Sequence, residues 1–336
     1  MKQLLAPLVG DASPVTVIGL CKNAGKTTAM RRLMAELGEE CLGLTSVGRD
    51  GECTDLVTGT EKPDLYLKKG DLFATARGML TLCDATLEVV DLTDVMTPLG
   101  PVAVFRTLSD GYVQLAGPSA AGQLPPLTRR FQELGAQRVL IDGAAGRKSL
   151  AGAGVEGVAL LCTGASLDRD MELVVAETAQ QVAHTCWLFA RKRPESAALC
   201  AALDGQEARF ALFTPEGEPV ELPLEESGAP KWNKLPRRPL VLWAAGGIMD
   251  PLLKTLARRG APTTLVAADA THVLAGRAAL DLFLRNGGEL RVRRELTIAA
   301  VGANPWSAYG WHFEPDKFVR ALREVIDLPV VNVKED

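Results

Sequence analysis

The stretch that most constrains this chain is Val15-Thr16-Val17-Ile18-Gly19-Leu20-Cys21-Lys22-Asn23-Ala24-Gly25-Lys26-Thr27-Thr28. Its β-branched start predicts a buried strand. Met30, Leu33, Met34 and Leu37 follow at i, i+3, i+4 and i+7, the apolar stripe of a helix. Between them lies a short polar loop that ends in Gly-Lys-Thr-Thr. Strand, loop, lysine and hydroxyl at a helix start are the parts of a phosphate-binding loop. The helix end offers unpaired N–H groups and a favourable dipole, and the lysine neutralises β- and γ-phosphate charge. Lys22, Asn23, Ala24, Gly25, Lys26, Thr27 and Thr28 are the expected nucleotide contacts. The register is unusual. Leu20 holds the place where such loops carry their first glycine, and Cys21 stands five residues before Lys26, with Lys22 one place late.

Length and composition bound the rest. The 336 residues are 47% hydrophobic and 23% charged, which suits a globular protein with ample core. A net charge of −4 argues against general nucleic-acid binding, which needs a basic face. No apolar run is long enough to span a membrane, and the Met1 to Val9 patch is too short for a secretory signal, so a cytoplasmic location is expected. Cys21, Cys41, Cys53, Cys83, Cys162, Cys186 and Cys200 form no Cys-x-x-Cys pair, and their number is odd. They read as reduced thiols, with Cys21 the one most exposed to redox chemistry by its place in the loop.

Along the chain, Cys41 to Val47 reads as a strand that leads into Gly48-Arg49-Asp50-Gly51-Glu52. Asp50 is the candidate carboxylate for metal or water, with Glu52 second. Asp71 to Leu82 predicts a helix, Ala85 to Val90 a strand, and Gly100 to Arg106 another. The polar, Gly-rich run Ser109 to Ser119 sits where doubly wound folds carry substrate loops. After a helix over Gln123 to Leu134, Arg138-Val139-Leu140-Ile141-Asp142-Gly143 closes a buried strand on a carboxylate. Downstream of a phosphate loop, Asp142 is expected to hold Mg²⁺. Ala144 to Ser149, with Arg147 and Lys148, reads as a γ-phosphate-sensing switch.

Val155 to Cys162 predicts a further strand, and Asp168 to Val182 a helix. The fold class is α/β: a mostly parallel, P-loop NTPase-like sheet flanked by helices, with a second α/β half. The expected division is residues 1–190 for nucleotide binding, 191–238 as a linker or small β insertion (with a β pair over Phe210 to Leu222), and 239–336 as the second domain. In that last part Ala303-Asn304-Pro305-Trp306 and Tyr309-Gly310-Trp311 read as a pocket lid, an interaction surface or a core corner.

Lys22-Asn23-Ala24-Gly25-Lys26-Thr27-Thr28 has a form also seen in the nucleotide-binding accessory protein of molybdopterin-guanine dinucleotide synthesis. Taken with Thr45 to Glu52, Asp110 to Ser119, Ile141 to Ala144, Arg147-Lys148-Ser149 and Thr163 to Ser166, the first half resembles ATPase subunits of lysine 5,6-aminomutase reactivases. That resemblance implies ATP and Mg²⁺ as ligands, and partners rather than a small substrate. The implied partners are an adenosylcobalamin-dependent aminomutase and a MutS-like companion subunit, with self-association left open. Asp50 and the loop at Gly146 would then be the switch elements. The alternative reading is a small-molecule kinase or a dethiobiotin-synthetase-type ligase, with Tyr112 to Ser119 in its substrate pocket. A GTP-dependent cofactor-biosynthesis factor is less favoured, because Asn233-Lys234 is followed by Leu235-Pro236 and not by a guanine signature.

Overall fold

A computed structural model describes residues 4–47, 65–118, 121–143 and 157–334. It is mixed α/β, with a large, mostly parallel sheet flanked by helices, and it divides into two compact units. The first comprises Met1–Cys186 and Thr297–Asp336, the second Trp187–Leu296.

The first unit opens with the short helix α1 (Ala6–Val9), then β1 (Val15–Gly19), α2 (Lys26–Leu37) and β2 (Leu42–Ser46). Next come β3 (Leu65–Leu67), β4 (Leu72–Ala76), β5 (Leu87–Thr97), β6 (Gly100–Thr107) and β7 (Gly111–Val113). The helix α3 (Leu124–Glu133), β8 (Arg138–Asp142), β9 (Gly157–Gly164) and α4 (Met171–Phe189) follow. Every residue of β1, β2 and β4 is buried, as parallel strands covered on both faces require. Alternation along β8 shows the two layers. Leu140 packs with Met30, Leu33 and Leu37 of α2, whereas Val139 and Ile141 pack with Leu124, Leu127 and Phe131 of α3.

The second unit contains α5 (Ala197–Asp204), β10 (Phe210–Phe213), β11 (Pro219–Val220), β12 (Leu240–Ala244), α6 (Asp250–Ala257), β13 (Thr263–Ala267), α7 (Arg277–Arg285) and β14 (Gly288–Val292). Its sheet runs β11-β10-β12-β13-β14, with β12, β13 and β14 parallel and β10 antiparallel to β12. The chain then contributes β15 (Leu296–Asn304), α8 (Pro315–Val325) and β16 (Val330–Asn332). These last strands complete the nine-stranded sheet, in the order β16-β15-β9-β1-β8-β2-β4-β6-β5.

Four expectations change. Asp71 to Leu82 is not one helix: Leu72–Ala76 is β4 and Arg77–Leu82 a 3₁₀ segment. Leu and the two Ala there carry no strong strand signal, but β2 and β6 supply a hydrogen-bonding partner on each side, and tertiary pairing overrides propensity. The strand expected at Ala85 to Val90 extends to Thr97, as half of a bulged hairpin with β6. The region 239–336 is not one domain, because β15 and β16 join the first sheet beside β9. Residues 191–238, expected as linker or insertion, contribute β10 and β11 to the second sheet.

Candidate functional site

The carboxyl end of β1 is pinned before it turns: Leu20 N donates to Cys162 O of β9 at 2.8 Å. The loop then reverses through two left-handed residues, Asn23 at φ 57° and Gly25 at φ 89°. Only glycine suits the second. Its φ is positive, and a Cβ there would lie 2.6 Å from Asn304 Cβ. Lys26 begins α2 immediately afterwards, and no side chain caps that helix. The N–H groups of its first turn therefore face out of the helix end, along with the positive end of its dipole. Ala24 is buried, Lys22 is exposed, and Thr27 and Thr28 are half-buried beside this opening.

β8 brings the carboxylate. In register, Asp142 lies opposite Val17 of β1 and Ser46 of β2, at the same edge of the sheet as the loop. Lys26 Nζ donates to Gly143 O at 2.5 Å and stands 3.5 Å from Asp142 Oδ1. That carboxylate oxygen is buried and accepts no hydrogen bond, so Lys26 attracts it only as a charge. Asn23 Nδ2 is likewise buried with no partner. Two polar atoms of opposite character are thus left unsatisfied at one loop, at a cost normally avoided in folded proteins.

The carboxyl ends of β2 and β4 carry the next layer. Gly117 N donates to Ser46 Oγ at 2.9 Å, and a Cβ at Gly117 would lie 2.1 Å from Ser46 O. Thr75 Oγ1 donates to Gln114 O and accepts from Ala116 N, each at 2.9 Å. Gln114 to Pro118 is therefore fixed along this edge, and Gln114 Oε1 is buried without a partner. Tyr112 is not part of it. It sits on β7, which pairs with β3, and its ring meets Tyr66 edge-on at 5.2 Å. The cavity of about 360 Å³ lined by both tyrosines also takes in Asp71, Leu42 and Gly38, at the amino edge of the sheet.

On the other side of β1 the structure brings to the loop a residue that the sequence reading grouped with Trp306 but did not link to Gly25. Asn304 ends β15. Its main-chain oxygen accepts from Ala165 N at 2.9 Å, its Oδ1 accepts from Trp306 N at 3.2 Å, and its amide abuts Gly25. The available signal was an Asn-Pro after an apolar run, too common to read alone. Asp50, Glu52, Arg147, Lys148 and Ser149 lie outside the described residues, as does Ser119.

Cys21 is no activated thiol. Burial, assisted by the charge of Glu177, pushes it up to about 11. Burial also pushes Cys162 up to about 12. The chemistry available here is a set of N–H donors and one lysine facing a carboxylate, with hydroxyls at the helix mouth. No protein-family model, curated protein or solved structure matches this chain.

Proposed function

We propose that the chain is a P-loop NTPase that binds Mg-ATP at Lys22–Thr28 and hydrolyses it. The observation that carries this reading is the pair of buried atoms without partners, Asn23 Nδ2 in the loop and Asp142 Oδ1 across from Lys26. A phosphate oxygen satisfies the first, and a cation or its water shell satisfies the second. The uncapped start of α2 supplies the remaining donors. Mg²⁺, when bound, neutralises β- and γ-phosphate charge; Thr27 and Asp142 are the oxygen donors that would hold it. Lys26 exchanges the Gly143 carbonyl for phosphate oxygens and counters their charge. Asn23 and the first-turn N–H groups orient the chain of phosphates.

The purpose of that turnover follows from the sequence resemblance: a reactivase that opens an adenosylcobalamin-dependent aminomutase for cofactor exchange, working with a MutS-like subunit. A second reading is a small-molecule kinase or ATP-dependent ligase, which the fixed Gln114 to Pro118 segment and the unpartnered side-chain oxygen Gln114 Oε1 favour. Calorimetry with Mg-ATP tests the common core. Lys26→Ala should weaken binding or turnover by about a hundredfold or more, the usual effect of removing one charge-stabilising group. Unchanged binding and turnover would sink the proposal. ATP consumption stimulated by the mutase and its companion supports the first reading, and consumption that requires a small acceptor supports the second.

A further inference from the structure

We infer that the loop over residues 305–313 is the nucleobase subsite, with a purine stacked on Trp306. The inference rests on the proposed nucleotide binding and names the part of the ligand beyond the phosphates. Asp142 lies on the β8 side of β1, so the terminal phosphate and its cation belong there. The nucleoside must leave the cradle in another direction, and β9 and β15 occupy the opposite side. Two strand spacings make about 10 Å, the distance from β1 to the axis of β15. Ribose and base together cover that span.

The loop at that distance is built, not frayed. Phe313 N donates to Pro305 O and Ser307 N to Trp311 O, each at 2.9 Å, making a short antiparallel hairpin. Trp311 Nε1 reaches Ala165 O at 2.9 Å and Ala308 N reaches Ser166 Oγ at 3.2 Å, tying the hairpin to the end of β9. Its base is Asn304, which touches the phosphate loop at Gly25. Yet Trp306, in this tied loop, stays 42% exposed. Its ring stacks on His312 at 4.6 Å and 20°, and Lys334 Nζ stands 4.7 Å from its centroid. An exposed, oriented aromatic ring backed by a stacked imidazole is what a flat base requires as a platform. The base takes the place over the ring that the Lys334 ammonium holds.

Full-length protein with Mg²⁺ separates this inference from the reading beneath it. Affinities for ATP and for inorganic triphosphate are measured side by side by calorimetry. Wild type should bind ATP about tenfold or more tighter than triphosphate, the worth of one stacked base. In Trp306→Ala that ratio should collapse towards one, and in Trp306→Phe it should largely persist. Triphosphate binding with no preference for ATP would overturn the base subsite and leave the phosphate site standing. Equal weakening of both ligands by Trp306→Ala would also overturn it, as a structural effect. If neither ligand binds wild type, both the subsite and the proposed function fall.

Discussion

Each of the two larger sheets in this chain ends a parallel-paired strand close to an aspartate, and the two acids are treated in opposite ways. Asp142, at the end of β8, keeps a buried oxygen with no hydrogen bond and a lysine 3.5 Å away. Asp269, just past β13, is fully buried, and Oδ1 alone accepts from Thr271 N at 3.0 Å, Thr271 Oγ1 at 2.6 Å and His272 Nδ1 at 2.9 Å. Its other oxygen meets Arg294 Nη2 at 3.3 Å. Burial pushes that carboxyl up, but the bonds from His272 and Thr271 and the charges of His272 and Arg294 outweigh it, so it titrates below the ordinary carboxylate range. The contrast separates two uses of a strand-end acid. A saturated carboxylate holds its own loop together, whereas an unsaturated one is kept for something that is not protein.

Charge removal tests that contrast most strongly. Asp269→Asn leaves Arg294 without its buried counter-charge and should destabilise the second unit by about 3–5 kcal/mol in urea titration. Asp142→Asn removes only a partly exposed ion pair and should change stability by about 1 kcal/mol or less while abolishing Mg²⁺-dependent ATP turnover. Equal destabilisation by both substitutions would erase the distinction.

Acid sharpens it. A carboxyl depressed in the folded state contributes stability that is complete above the unfolded value of about 3.9 and disappears as pH falls through the folded value. The difference in urea midpoint between wild type and Asp269→Asn should therefore be constant near neutrality and shrink below about pH 4. A gap that holds its size to pH 2.5 would contradict the depressed carboxyl.

The smallest effect belongs to Cys21, which lies in the cradle but is raised to about 11. Its alkylation by iodoacetamide near pH 7.5 should run about a hundredfold slower than that of an exposed thiol, because thiolate is the reactive form. Rapid modification would show a cradle more open than the one described.

Much of the first cradle was legible in the sequence because its parts are local. The β-branched run forms β1, the stripe Met30, Leu33, Met34 and Leu37 is buried along α2, and the apolar run before Asp142 forms β8. Each signal lies within a dozen residues of the feature it predicts. Asn304 was not legible as a neighbour of Gly25, since that contact spans most of the chain and depends on β15 inserting beside β9. The same insertion decides that Thr297–Asp336 belongs to the first unit. β4 illustrates the limit from another side: Leu72 to Ala76 becomes a strand only because β2 and β6 offer hydrogen bonds on its two edges.

Sequence by itself determined the helix that follows Gly25, the lysine at its start and the acid at the end of β8, because hydrophobic period and backbone sterics act between near neighbours. Tertiary structure alone decided which atoms were left unsatisfied. Whether Asp142 or Asp269 finds donors depends on what distant strands carry to its side, and that is settled by packing, not by the residues beside it.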